Sequence, residues 1–530
     1  YSVLPNNGDG DFTFNRDSSA TRVGQNGLIQ EVGFFGNEEV TNGDFATDSD
    51  WSKGTGWTIS GGKANVNATS NTDLAQDVGS SIGKTYKITF EISNYVTGSA
   101  QVLLGYGSTP ISPALIASAN GIYEVEATAN AVNPQRLYIS TKTATTQLSI
   151  DNVSVKEVTG DQPRLNYDIS NGVVQSCPSL LLEPASTNLI TYSEDFSQSA
   201  WTKSNTAITS NSVISPDGTL NASTLTDNTA NGIHRLRDSV SLSASTDYSL
   251  SVFAKKGTLS NIQLALINTA NSSTSSRVFD LENGVLGESL TNQTLSNSKI
   301  TDYGNGWFKC EITAQLASTP NTYQITLATK SSGNATNVSQ VTYDGDGTGN
   351  VYIFGAQVET SYPTSYIPTN GSSQTRAAES CYQTVPDGII GQTEGVIFLD
   401  VKMPSVIQSN TTFSINGGTS GEYAQLEIRS DLSINWRYRQ GGTDYINENV
   451  GSYVGGDRLK LAFAYKSGSS ILYKNGVSIA TDNGSIGSNS WNNVYFSNFA
   501  GTGKLNASVK QISLYNTRLT NAQLQTLTTL

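Results

Sequence analysis

A phrase that occurs twice limits the fold of this chain more than any other feature. Residues 42–53 read Asn42-Gly43-Asp44-Phe45-Ala46-Thr47-Asp48-Ser49-Asp50-Trp51-Ser52-Lys53, and residues 193–203 read Ser193-Glu194-Asp195-Phe196-Ser197-Gln198-Ser199-Ala200-Trp201-Thr202-Lys203. Each copy opens a stretch of period-two alternation, the pattern of half-buried strands. The run from Lys84 to Ser93 in the first stretch is matched by Tyr248 to Ala254 in the second, and the closing run Leu148 to Val155 by Val351 to Val358. The offset between copies grows from about 150 to about 200 residues, which marks an old duplication with loop insertions rather than a solenoid. A chain that spends its length this way is built to bind rather than to react.

Composition agrees. The 530 residues exceed one hydrophobic core, so about three or four domains are expected. Only 14% of residues are charged and the net charge is −13, which excludes nucleic-acid binding by phosphate neutralisation. No stretch reaches a membrane-spanning length. The first residue is Tyr1 rather than Met, which points to a processed, trimmed or incomplete N-terminus, and no signal peptide is visible.

The catalytic vocabulary is thin. His234 is the single histidine, without a Gly-x-Ser-x-Gly or Cys/His partner, so a structural, hydrogen-bonded role is expected and a serine or cysteine triad is excluded. No phosphate-cradling loop and no His-Glu-x-x-His are present. Two carboxylates at glycosidase spacing could hide among 44 acids, but nothing singles out a pair. Cys177, Cys310 and Cys381 are far apart and lack zinc-ligand spacing. Cys310 reads as a core residue. A Cys177–Cys381 bridge is open on sequence alone, with two reduced thiols favoured. The Asn-x-Ser/Thr matches at Asn67, Asn221, Asn334 and Asn506 follow from composition.

The expected fold is all-β: tandem antiparallel β-sandwiches, comprising two jelly-roll modules and a concanavalin A-like sandwich, with a short C-terminal helix. Residues 1–36 form an N-terminal β segment with a turn at Gln25-Asn26-Gly27. Residues 37–158 are the first jelly roll, 159–190 a connector, 191–368 the second jelly roll and 369–394 a polar linker. Residues 395–530 are the third sandwich, whose Asn475-Gly476 is the clearest hairpin signal in the chain. Thr520 is the candidate N-cap of the helix.

Several phrases carry a resemblance. Phe14-Asn15-Arg16-Asp17-Ser18-Ser19-Ala20-Thr21-Arg22-Val23, with Gly27 to Val32, resembles the start of a family of bacteriophage virion fibre and tail proteins. In that family the phrase runs almost directly into segments that are similar to Pro163-Arg164-Leu165-Asn166-Tyr167, Leu180 to Pro184 and Thr187-Asn188-Leu189 here. They lie about 130 residues later than the resemblance implies, as if the first module had been inserted into a continuous unit. Ser365 to Thr369 and Thr375 to Glu379 resemble that family's exit from the second module. Each repeated module resembles a galactose-binding-like, carbohydrate-binding jelly roll. Residues 395–530 resemble laminin-G and concanavalin A-like lectins, through Tyr473 to Gly476 and the strand beginning Ile512 to Tyr515.

The resemblance implies sugar contacts, and sugars are bound by flat aromatic faces with amides and carboxylates reading the hydroxyls. Trp57 and Trp491, in polar loops, are expected to be exposed for stacking, with Trp436, Tyr473 and Asn475 as further carbohydrate-binding candidates. Trp51 and Trp201, at equivalent places in the repeats, are expected to be core anchors, and Trp307 a core residue. The jelly-roll resemblance also implies a structural calcium ion in the first module, held by Asn42, Gly43, Asp44 and Asp151. The second module keeps Asp195 but has Phe354 where Asp151 stands. Asp344-Gly345-Asp346 and Asp9-Gly10-Asp11 read as plain turns.

The resulting expectation is a non-enzymatic bacteriophage structural protein, a fibre, tail or head-decoration subunit on the virion surface. Its partners would be host cell-surface polysaccharide and other virion proteins, with a homotrimer favoured and no membrane insertion. The alternatives are a polysaccharide depolymerase tailspike and a bacterial extracellular adhesin.

Overall fold

The computed structural model describes residues 12–530, apart from 34, 106–110, 113–114, 130–135, 144, 159–162, 241, 244, 269–272, 290–294, 317–320, 329–340 and 406–408. The Asp9-Gly10-Asp11 turn and the Asn334 sequon lie outside the described residues. The protein is all-β, with sheets of antiparallel strands and one α-helix, Asn521–Thr528, among the described residues. Thr520 caps that helix in a capping box with Gln523, and Leu524 is buried.

The first sandwich stacks a five-stranded sheet on a seven-stranded one, and the second stacks two six-stranded sheets. Their duplication is visible in strand order. In the first, Ala64–Ala68, Thr146–Val158, Thr85–Thr97 and Gly121–Ala129 lie side by side; in the second, Ala222–Asp227, Asn350–Thr360, Thr246–Lys256 and Trp307–Leu316 take the same places. Both closing strands break register next to a residue in the left-handed region, Asn152 (φ 51°) and Gly355 (φ 61°).

The doubled phrase is a folding device. Trp51 Nε1 donates to Asn42 O at 3.0 Å and Trp201 Nε1 donates to Tyr192 O at 2.9 Å, in each case nine residues back. The partner ring sits close by, Phe45 at 5.2 Å from Trp51 and Phe196 at 5.1 Å from Trp201. The turn is then tied to the closing strand: Val153 N donates to Gly43 O, and Ala356 N to Ser193 O, both at 2.9 Å. Trp51, Trp201 and Trp307 are buried, as expected of core anchors.

The third sandwich has two seven-stranded sheets and draws strands from well outside residues 395–530. Thr13–Asn15 pairs with Ser380–Thr384, placing Phe14 opposite Cys381, and Ser380–Thr384 pairs with Asn493–Tyr495. Ser179–Leu182 pairs with the last strand, Ala507–Tyr515, placing Leu180 opposite Val509. A boundary at residue 395 therefore cuts through this unit. Sequence could not reveal it, because the borrowed strands are short and lie up to about 370 residues from their partners.

The other two sandwiches are insertions into this frame. Phe35–Glu38 pairs antiparallel with Thr146–Val158, so the first sandwich begins and ends side by side. Ser186–Asn188 pairs antiparallel with Gln374–Arg376 and brackets the second in the same way. Adjacent ends are what allow one domain to be carried within another.

A buried ion network joins the parts. Arg16, Arg164, Arg376 and Glu379 are all at or below 2% exposure. Arg164 grips Glu379 with two nitrogens at 2.6 Å, and Arg16 reaches the same carboxylate at 2.8 Å. Glu183 is shared between Arg164 at 2.9 Å and Arg376 at 3.2 Å, and also accepts from Ser365 N and Oγ. Burial works to raise the Glu183 pKa, but Arg376 and Arg164 outweigh it and hold it down at about 2. Every ionic member of the network belongs to one of the widely separated fibre-like phrases. Three arginines and two carboxylates from residues 16, 164, 183, 376 and 379 can meet only if the chain returns to one place after each insertion.

Candidate functional site

A wide cleft lies where the second sandwich meets the frame. Its floor is an edge strand, Leu295–Gly304, whose Asn297, Lys299, Thr301 and Tyr303 alternate onto one face. The neighbouring strand adds Lys309 opposite Thr301 and Glu311 opposite Lys299. The hairpin Ala20–Val23 with Ile29–Val32 contributes Arg22 from one side. The connector contributes Asn166 and Asp168, and the third sandwich closes the far wall with Lys402, Pro404 and Asn506. The cleft has a volume of about 460 Å³, within the range of small-ligand clefts. No residue of 37–158 lines it.

Polar and aromatic groups are held in place around this space. The Tyr303 ring stands edge-on to Phe253 at 5.0 Å, and the Tyr362 hydroxyl accepts from Asn506 Nδ2 at 2.6 Å. Lys309 donates to Glu311 at 2.8 Å and to Thr364 O at 2.9 Å. Burial pulls the Lys309 pKa down, but Glu311 outweighs it, so the ammonium stays charged. Asp168 is paired with Lys510 at 3.2 Å and Lys402 at 3.5 Å. Such a surface offers ring faces and fixed donors and acceptors, the components a hydroxyl-rich ligand uses.

The tryptophans expected to stack on sugars do not line this cleft and are not exposed. Trp57 is 5% exposed, Trp491 2% and Trp436 0%. Trp57 packs in the first sandwich's core, whereas Trp436 and Trp491 pack in the third, Trp491 5.4 Å from Tyr465. The Gly/Ser/Asn-rich surroundings suggested open loops, yet the rings turn inward because burying an indole outweighs the polarity of its neighbours. Tyr473 is buried at 8%. Asn475 organises its turn, at φ 48°, accepting from Lys460 N and donating to Arg458 O. The structure brings none of the five sequence-predicted carbohydrate residues into one open site.

The residues that do line the cleft carried no sequence signal. Arg22 stands inside the Phe14 to Val23 phrase, and Lys299 and Tyr303 sit on a polar strand that reads like any exposed edge. What distinguishes them is convergence across units, which a single sequence does not display.

The calcium candidates are engaged by their own surroundings. Asn42 spends its side chain on the turn, donating to Thr47 O and Ser49 O and accepting from Thr47 N. Gln76 Nε2 donates to Thr41 O and Asp50 O, and Asn42 O and Gly43 O accept from Trp51 and Val153. Asp44 is exposed, and Asp151 has the Lys63 ammonium at 3.6 Å. No group of three or more His, Cys, Asp or Glu side chains suited to a metal occurs among the described residues. The oxygens that would face a hard cation thus already accept from protein donors, and the arrangement does not fit a calcium cage.

His234 is fully buried, with Nδ1 2.8 Å from Asn205 O and Nε2 3.3 Å from Tyr343 O, a structural setting. Cys177 is exposed, Cys310 and Cys381 are buried, and all three are free thiols. Two carboxyls come together in a second, smaller cleft, where Asn221 Nδ2 donates to Asp217 at 2.9 Å and Glu194 at 3.4 Å. Burial raises the Glu194 pKa to about 7. Asp217, however, is saturated by Ser215, Thr219 and Asn221, which makes it a turn organiser.

No protein-family model matches the chain, and no curated protein matches it. Among solved structures it is similar to the CBM40 of a Ruminococcus gnavus IT-sialidase bound to alpha2,3 sialyllactose, at 19% identity over 26% of this chain and 84% of that one, TM-score 0.24. It is similar to the tandem CBM22 domains of Paenibacillus barcinonensis Xyn10C, at 10% identity over 62% and 98%, TM-score 0.21. Domains LG4-5 of the mouse laminin alpha1 chain match at 11% identity over 54% and 84%, TM-score 0.17. The fold class itself rests on the strand pairing described above.

Proposed function

We propose that this protein is a non-catalytic, glycan-binding structural subunit of a bacteriophage particle, displayed as a fibre, tail or head decoration, and that the cleft at the frame–second sandwich junction is its binding site. The observation that carries the reading is the cleft: an open space of about 460 Å³ with tyrosines, amides and charged groups fixed on separate units. Hydroxyl-rich ligands suit it better than apolar ones, because most of the residues that line it are polar and Tyr303, Tyr362 and Tyr366 stand among them. The phage assignment is supported by the fibre-like phrases, which supply every ionic member of the buried network. Individual sugar contacts would be weak, and many copies on a symmetric particle, with a trimer favoured for fibres, would multiply them. No described helix is long and apolar enough to cross a membrane.

The test is to offer purified protein to candidate host cells and to their extracted polysaccharide, and to locate it on the particle with labelled antibody. Saturable binding that free polysaccharide competes away, with label on the virion surface, is the expected result. Absence of binding by protein that remains attached to the particle would reduce it to a scaffold. Release of reducing ends from the polysaccharide would replace the non-catalytic reading with a depolymerase.

A further inference from the structure

We propose that the cleft selects acidic saccharides, with Arg22 and Lys299 as its anion contacts; this deepens the glycan-binding reading and rests on it. The protein as a whole repels anions, with 44 acidic against 31 basic residues. The cleft reverses that balance, since Arg22, Lys299, Lys309 and Lys402 line it against Asp168, Glu183 and Glu311.

Pairing sharpens the contrast. All three carboxylates are taken: Asp168 by Lys402 and Lys510, Glu183 by Arg164 and Arg376, and Glu311 by Lys309. Arg22 and Lys299 are left with no acidic partner among the described residues. They come from different units, the N-terminal hairpin and the second sandwich, and face the same space.

Arg22 is half-buried. Its Nε is closed off from solvent and makes no hydrogen bond. A guanidinium can still meet a carboxylate through two parallel bonds from its terminal nitrogens. Lys299, on an exposed strand edge, can follow a second oxygen with its flexible stem. Asn297 and Tyr303 stand on the same face of that strand and supply the hydroxyl contacts and ring face that a sugar needs and a bare inorganic anion does not.

The experiment is calorimetric titration with matched pairs: oligogalacturonate, hyaluronan oligosaccharide and sialyllactose, each beside its carboxyl-methyl ester, together with uncharged oligosaccharides. At least one acid should bind, and its ester should bind about tenfold or more weakly, the scale of one lost charge-assisted contact. Affinity for the acid should fall as salt rises. Arg22→Gln and Lys299→Gln should each lose a similar factor on the acid and so narrow the gap between acid and ester. Lys299 is exposed, so its replacement cannot be read as misfolding. Equal binding of acid and ester, or binding of uncharged sugars alone, overturns the acid selectivity and leaves the glycan reading standing. Acid-selective binding that survives both substitutions overturns these two residues as the contacts. Failure of every saccharide overturns the function on which the inference rests.

Discussion

Glu379 is the residue on which most of the long-range order converges. It accepts from Arg16 and Arg164, and its Oε2 also accepts from Glu183 N at 2.9 Å. A buried ion pair need not add net stability over an apolar substitute, but removing one partner strands the rest. Glu379→Gln should therefore destabilise the protein by about 3–5 kcal/mol in chemical denaturation, by leaving buried guanidinium groups uncompensated. A loss within experimental error would mean that the frame is held by strand pairing alone. Acid should act on the same network through Glu183. Its folded pKa of about 2 lies below its ordinary 4.5, so its contribution is present above that ordinary value and is lost as pH falls through the window between them.

At the scale of elements, the opening turn of each jelly roll decides whether the closing strand can dock. Gly43 is needed there for space: a Cβ would come within 2.0 Å of Val153 O, a backbone atom that cannot swing aside. Gly43→Ala should cost about 1–3 kcal/mol, confined to the first sandwich. Hydrogen exchange is the appropriate readout, with protection lost in Ala64–Ala68 and Thr146–Val158 and kept in Asn350–Thr360. Uniform loss in both sandwiches would contradict the independence that the two separate cores imply. Elements of this kind were legible in the sequence. Period-two alternation located the strands around Tyr86, Tyr248 and Val351, and Thr520 marked the helix, because those signals are local. Exposure of loop tryptophans was not legible, since the direction in which Trp57 or Trp491 turns is decided by a core assembled from distant strands.

At the scale of the whole molecule, order along the chain and order in space part company. The sequence reads as sandwiches in series, with a hint of insertion in the displaced Pro163-Arg164-Leu165 phrase. The fold carries the idea further: the third sandwich is the frame, and both jelly rolls are held within it. Residues 395–530 expressed alone should fail to fold, since they lack Thr13–Asn15, Ser179–Leu182 and Ser380–Thr384, strands that complete both sheets. A cooperative, native-like melt of that fragment would refute the borrowed-strand frame. The site was illegible for the same reason as the frame, because Arg22, Lys299 and Asn506 become neighbours only when the insertions have folded back.

Binding at the junction of frame and second sandwich should not require the first jelly roll. Replacing residues 37–158 by a short linker tests it directly, because the strand ends at Phe35 and Val158 already lie side by side. Titrated with a glycan that the intact protein binds, the shortened protein should melt cooperatively and bind with unchanged affinity. A folded, shortened protein that no longer binds would place recognition in the first jelly roll and contradict the account.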